Sequence, residues 1–361
     1  PRLFSDPQSP PGTVPTAGCS RRGLGGALAE AGLSPAALGT GSPQVARLSE
    51  PSISTHPVVS IILPTYQRLA YLMEAIESIR AQTVTKWELI VVDDGSTDGS
   101  ADWVDSLEDA RISTLRQPHI GHPAVLRNLG VAQARAEWIA FLDSDDRWRP
   151  EKLVRQLALH ATSEDLQWSY TGRSLMDAIG IPLANARFKP WEPWAGWIVR
   201  QILDGDATIA LPTVMVRTSL LKAVGGFDES RRWAEDYDLW LRLSSRAPCG
   251  LVDEPLTVIR LHRSFSHDRP EVDQGFMAAY RSFALTTTDA ELRSKAQRRE
   301  GYYAVWAANK WVTRREWRKA LDALAVAIRR TPLDPRVYRS VLRLIWRFLS
   351  ARGRATASGG A

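Results

Sequence analysis

Three carboxylates, Asp143, Asp145 and Asp146, stand within four residues, directly after the apolar run Trp138–Leu142. A run of that length with polar residues at its end reads as a buried strand. In open α/β sheets the ligand crevice lies beyond the carboxyl ends of the strands, which is where these acids fall. Carboxylates this close repel one another unless a cation or solvent neutralises them. Such oxygen-rich clusters suit Mg2+ or Mn2+, which in turn hold phosphates. Taken alone, the cluster also reads as a solvated acidic turn capping the helix that Pro150 opens.

Two further acidic pairs occupy comparable places. Asp93-Asp94 ends the apolar run Glu88–Val92 and continues into Gly95-Ser96-Thr97-Asp98, where Gly permits a tight turn and Ser or Asp caps the next helix. Glu235-Asp236 precedes apolar residues at helical spacing, Tyr237, Leu239, Trp240 and Leu243, so the pair sits where a helix dipole stabilises negative charge.

The elements that must position these acids follow from periodicity. Val58–Leu63 reads as a first strand stopped by Pro64, and Leu72, Ala75, Ile76 and Ile79 mark the helix after it. Trp103, Val104 and Leu107 mark a second helix. Ile112–Leu115 reads as a strand, and Ala124–Ala134 as a helix carrying Arg127 and Asn128. The order β-α-β-α-β-α-β implies a mainly parallel sheet with helices on both faces. Neither G-x-G-x-x-G nor a P-loop is present. Beyond Pro150 come a helix with Leu153, Val154 and Leu157 and strands near 167–170, 213–216 and 249–252. The loop with Trp191, Trp194 and Trp197 reads equally as sugar-stacking aromatics or as side chains packing the loop down.

At 361 residues the chain has room for one large domain or two ordinary ones, with 44% apolar and 24% charged residues, as in globular proteins generally. Cys19 and Cys249 lack metal-ligand spacing, so a reducing, cytoplasmic setting is expected and a disulfide framework is not. No stretch approaches the roughly 18 apolar residues of a membrane span. Residues 1–52, rich in Pro, Gly, Ala and Ser, read as disordered or low-complexity, and 351–361 as a flexible tail. Residues 293–354 carry 17 Lys and Arg against 4 Asp and Glu, a balance of +13 that leaves −7 elsewhere in a chain of net charge +6. Within the basic helical region 269–350, Arg336, Arg339, Arg343 and Arg347 form a stripe opposite Val337, Val341, Ile345 and Phe348. That stripe reads as a solvated face or as a peripheral contact with the cytoplasmic face of an anionic membrane. No recognised nucleic-acid motif accompanies it, so a nucleic-acid partner is not expected.

Taken in order, VSIILPTYQR (59–68), ELIVVDDGSTDGS (88–100), WIAFLDSDD (138–146), GGFDES (225–230) with AEDYDLWLRL (234–243), and RLHRSFS (260–266) resemble the family 2 glycosyltransferases. The resemblance covers about residues 57–267, so a domain over 53–268 is expected. It implies the GT-A fold with a C-terminal helical extension, and inverting sugar transfer from a nucleotide-diphospho-sugar to a carbohydrate or lipid-linked acceptor in polysaccharide or glycoconjugate synthesis.

Carried over by motif, Pro64, Thr65, Tyr66, Asp93 and Asp94 line the base and ribose pocket, one acid of the Asp pair accepting from the base NH. Arg127 matches a basic residue near the nucleotide, or else makes a structural salt bridge. Asp143 matches the ribose-side carboxylate and Asp145 the ligand of Mg2+ or Mn2+, with Asp146 beside them. His262 matches a residue beside the metal or diphosphate, or else a structural loop histidine. Asp236 matches the catalytic base, with Glu235 its neighbour near the acceptor; Asp236 reads also as the N-cap of a helix starting at Tyr237. Two other classes fit less well: a sugar-nucleotide-binding adaptor without catalysis, and a nucleotidyltransferase, whose glycine-rich loop PTYQRL lacks.

Overall fold

The computed structural model describes residues 56–183, 193–262, 268–343 and 345–346. The expectations for 1–52 and 351–361, and those resting on Trp191, Arg347, Phe348 and the end of RLHRSFS, lie outside the described residues.

The first half alternates strand and helix as its periodicity predicts: β1 (Val59–Thr65), α1 (Leu69–Arg80), β2 (Trp87–Asp93), α2 (Ser100–Asp105), β3 (Ile112–Arg116), α3 (Pro123–Gln133) and β4 (Trp138–Phe141). The second half holds β5 (Arg147–Trp148), α4 (Lys152–His160), β6 (Trp168–Met176), α5 (Val199–Asp204), β7 (Val214–Arg217), α6 (Thr218–Ala223), α7 (Glu235–Ser244) and β8 (Cys249–Arg260). The strands make one sheet in the order β3-β2-β1-β4-β7-β6-β8-β5. β1 through β4 are parallel to one another, whereas β7 is antiparallel to both β4 and β6. The parallel character therefore stops at β4, and the rest of the sheet is mixed.

The period of two in each strand distributes the core. Val59, Ile61 and Leu63 face α1, α2 and α4 in one cluster, together with Leu89, Val91, Trp138 and Ala140. Ile62, Ile90, Val92, Ile139 and Phe141 face the other way and pack with α3, α5 and α7. Burial on both faces explains why these strands read as continuous apolar runs. The register puts Thr65 opposite Asp93, so β1 and β2 end together.

Three further helices follow: α8 (Pro270–Thr286), α9 (Ala290–Thr313) and α10 (Trp317–Arg330). Residues 335–343 are also helical. Ala304, Ala308, Trp311, Ala320, Leu324 and Val337 give this region a core of its own. Tyr280, Phe283 and Ala284 of α8 instead join the core shared by the sheet and α7. No described helix is long and apolar enough to cross a membrane.

The spacing of α3 from the sheet depends on Gly130. A methyl group there would meet Ile62 Cγ2 at 2.6 Å and Val92 Cγ2 at 3.2 Å. Gly130→Ala is expected to lower stability by about 1–3 kcal/mol through overpacking, despite alanine's better helix propensity. A urea midpoint equal to or above that of the parent would show that α3 shifts freely.

Candidate active site

The strands of the parallel half deliver their acids to one edge. Asp143–Asp146 follow β4 directly; Asp146 closes the turn by donating its N–H to the Asp143 carbonyl at 3.0 Å. Across the cavity, α7 starts at Glu235, two residues earlier than the apolar spacing suggests. Its N-cap residue, Ala234, is in the left-handed region at φ 58°. Asp236 is thus inside the first turn and not the cap. Asn128 of α3 fixes the approach to α7, because its amide donates to the Phe227 carbonyl at 2.8 Å and its oxygen accepts from Phe227 N at 3.0 Å.

One buried guanidinium joins the two acidic motifs. Arg127 donates to Asp143 Oδ1 at 2.9 Å and to Glu235 Oε1 at 2.7 Å. Burial opposes its charge, but Asp143 and Glu235 outweigh that cost and raise its pKa. Arg127 therefore makes a structural ion pair, and it also lines the cavity.

That cavity, about 560 Å³, is lined by Arg127, Asp143, Asp145, Asp146, Glu235, Asp236 and His262, with apolar residues of β6, β8 and the 208–212 segment. The acids in it are held differently. Asp145 Oδ2 accepts from Arg68 Nη1 at 2.9 Å and lies 2.9 Å from His262 Nε2. Asp146 is buried and accepts from Arg260 N at 2.8 Å; burial, then Asp143 and Asp145, push its pKa well up. Asp236 accepts from Tyr237 N at 2.7 Å. Burial and then Glu235 raise its pKa to about 7, while Arg127 pulls it down.

The Asp93-Asp94 pair is divided as well. Both oxygens of Asp94 are engaged, Oδ1 accepting from Ile120 N at 2.7 Å and Oδ2 from Gly121 N at 2.9 Å, with His119 Nδ1 also 2.9 Å from Oδ2. It pins the 117–122 loop. Gly95 makes room for that loop: its φ is +76°, and a Cβ there would lie 2.9 Å from His119 N. Asp93 accepts from Ser96 N through Oδ2, but its buried Oδ1 has no partner among the described residues, and neither has Thr65 Oγ1. Tyr66, next to Pro64 and Thr65, is 41% exposed and stacks on His119 with ring centres 4.1 Å apart.

Among the described residues no three His, Cys, Asp or Glu side chains form a metal-holding cluster. Asp145 Oδ2 and His262 Nε2 converge at 2.9 Å and could serve as two ligands, and Mg2+ or Mn2+ commonly takes only one or two protein ligands beside substrate phosphates. The donor set therefore fits a hard divalent cation that shares its shell with a diphosphate. Sequence reasoning missed Arg68 and Arg260. Arg68 sits inside the motif PTYQR and Arg260 two residues before His262, so motif membership was the available signal. Trp194 packs inward, its N–H and C=O bonded to the Tyr170 hydroxyl at 3.0 and 2.8 Å, whereas Trp197 is exposed.

The architecture matches solved transferases. Staphylococcus aureus TarS 1–349, in complex with UDP-GlcNAc, superposes with a TM-score of 0.62 at 20% identity, over 80% of this chain and 89% of that one. The mannosyltransferase PcManGT from Pyrobaculum calidifontis, in complex with GDP-Man and Mn2+, gives 0.53 at 17% identity, over 84% and 81%. The sheet is that of a GT-A type nucleotide-diphospho-sugar transferase.

A family model, Glycosyl transferase family 2, matches residues 60–170. The EpsE protein of Bacillus subtilis (strain 168) is 32% identical over 195 residues, which are 53% of this chain and 68% of EpsE. The chain belongs to glycosyl transferase family 2. An uncharacterized glycosyltransferase of Rickettsia felis is 34% identical over 206 residues, covering 56% of this chain but 33% of its own length. The chain thus spans about a third of such relatives.

The elevated pKa of Asp236 has a stability consequence. Its folded value, about 7, lies above the usual carboxylate value near 3.9, so between these the native state holds a proton that the unfolded chain releases. The stabilising contribution is complete below about pH 4 and is lost as pH rises through about 7. Asp236→Asn is therefore expected to gain melting temperature relative to the parent as pH rises from 4 to 8. A difference that stays constant across that range would overturn the assignment.

Proposed function

We propose that the protein transfers a sugar, with inversion, from a nucleotide-diphospho-sugar to an acceptor hydroxyl in polysaccharide or glycoconjugate synthesis. The observation that carries this reading is the single cavity in which Arg127 links the acids after β4 to those opening α7. Family membership supports the donor class.

In this reading Asp93 accepts from the base NH, because both oxygens of Asp94 already accept from the 117–122 loop whereas Asp93 Oδ1 has no partner among the described residues. Pro64, Thr65 and Tyr66 complete the base and ribose pocket, with Asp143 on the ribose side. Asp145 and His262 would hold Mg2+ or Mn2+, which when bound would supply Lewis-acid stabilisation at the diphosphate. Asp236 takes the proton of the acceptor hydroxyl as its oxygen bonds to the anomeric carbon and the bond to the diphosphate breaks. Attack from one face and departure from the other invert that carbon. A carboxylate with pKa near 7 is a stronger base than an ordinary one and is still half ionised at neutral pH. Glu235 keeps Arg127 in place and raises the basicity of Asp236. The chain boundaries 53–268 for the transferase domain and 269–350 for the helical extension belong to the same proposal.

Donor hydrolysis, scanned over UDP-, GDP- and dTDP-sugars with and without Mn2+, is the direct test. Asp236→Asn is expected to lose transfer by at least about 10²-fold while keeping nucleotide binding. Asp145→Ala is expected to lose metal-dependent nucleotide binding. Turnover retained in the first variant, or unchanged Mn2+ dependence in the second, would remove that residue from its role.

The exposed Leu342, Ile345 and Trp346, beside the exposed Arg336, Arg339 and Arg343, support a peripheral contact with an anionic membrane. Vesicles containing phosphatidylglycerol are expected to retain the parent protein and to release the triple Arg→Gln variant at these positions. Equal partition of the two proteins would count against the contact.

A further inference from the structure

Three arginines line the catalytic cavity, and two of them are neutralised. Arg127 has Asp143 and Glu235, and Arg260 has Glu74 at 2.6 Å. Arg173, on β6, lines the same cavity with no acidic partner among the described residues. Its contact there is a long one, from Nη1 to the Thr208 carbonyl at 3.5 Å. A half-buried guanidinium that meets no counter-ion among the described residues is unfavourable there, and burial does pull the pKa of Arg173 down. Proteins seldom keep such a cation at a substrate cavity unless an anion completes it.

The position of Arg173 separates it from the diphosphate end. Asp145 and His262, where the cation would sit, adjoin Arg68 of the β1–α1 turn. Arg173 instead borders the 208–212 segment, which is tied to α7 by Trp240 Nε1 donating to the Ile209 carbonyl at 3.2 Å. α7 carries Asp236. Arg173 is thus on the wall held by the helix of the acceptor-side acid.

We propose that this cavity takes a sugar substrate bearing a carboxylate or phosphate of its own, separate from the donor diphosphate, and that Arg173 is the residue that binds that group. The proposal rests on the transferase reading. The group can belong to the acceptor or to the donor sugar, and both present the same anion to a guanidinium fork.

Calorimetric titration of the full chain tests this in two arms, for the parent, Arg173→Gln and Arg173→Lys. In the acceptor arm, methyl glucuronide is compared with methyl glucoside, and glycerol 3-phosphate with glycerol, with and without UDP or GDP plus Mn2+. In the donor arm, UDP-glucuronate is compared with UDP-glucose. The anionic member is expected to bind about tenfold tighter or more in one arm, the size of a charge-assisted hydrogen bond. Arg173→Gln should abolish the preference and Arg173→Lys keep part of it. The arm that responds names the source. No anionic preference in either arm, or one that survives Arg173→Gln, would overturn the proposal. So would loss of UDP or GDP affinity itself in that variant, because Arg173 would then belong to the diphosphate. If neither nucleotide binds with Mn2+, the transferase reading fails, while the small anions on the free protein still decide Arg173.

Discussion

The guanidinium of Arg127 is the point on which the two halves of the site depend. It is almost completely buried and bridges Asp143, which follows β4, and Glu235, which opens α7. Neither acid is close to the other in the chain, and each would be strained without this cation: Asp143 by its acidic neighbours, Glu235 by Asp236. Breaking a buried pair costs far more than the pair itself contributes, because the remaining charges are left in low dielectric. The same cation also limits how far Asp236 can be raised, since its field favours the ionised carboxylate. The ion pair that fixes the geometry therefore also sets the basicity.

The sheet explains why such a pair is possible. Parallel strands β1, β2 and β4 bring their carboxyl ends to one edge, which gathers residues 65, 93–94 and 143–146. The change of direction at β7 ends that regular array, and the 208–212 segment before β7 becomes a wall of the cavity. α7 is held from two sides, by Asn128 through the Phe227 segment and by α8 through the shared Tyr237 and Tyr280 contact. The helical extension thus buttresses the helix that presents Asp236.

Much of this was legible from residue types. β1, β2 and β4 announce themselves as apolar runs because both of their faces are buried, and the acids at their ends were visible as the features such a sheet would use. The two-residue strand β5 was not legible, because it exists only by pairing Arg147 and Trp148 with Val258 and Thr257, far along the chain. The full length of β8 was hidden for a similar reason: Asp253 and Glu254 interrupt its apolar pattern, and the register shifts between Thr171 and Arg173 where β6 passes Pro255. The start of α7 was misplaced because Ala234 carries no sequence mark of a cap, and its left-handed backbone comes from tertiary context. Arg68 and Arg260 were marked only by membership of their motifs, and Arg173 lies in none; arginine is ordinary on a surface, and the fold is what turns these side chains toward acids or into the cavity.

Five carboxylates in one cavity would destabilise the fold if they were alike, and their different treatments explain why they coexist; Glu235, like Asp143, is committed to Arg127. Asp143 is committed to Arg127 by one oxygen and keeps the other. Asp146 is buried against Arg260 N, and burial together with its two acidic neighbours raises its pKa well above the usual carboxylate range. Asp145 is held through a single oxygen by Arg68 and His262, an arrangement that a divalent cation and a diphosphate can enter by exchange of one positive charge for another. Asp236 has a backbone N–H, a like-charged neighbour and the field of Arg127 but no direct ion pair among the described residues, and burial with Glu235 raises its pKa to about 7. The division follows from which cation each acid can reach: among the described residues Asp236 makes no direct ion pair, as the proposed proton-accepting role requires.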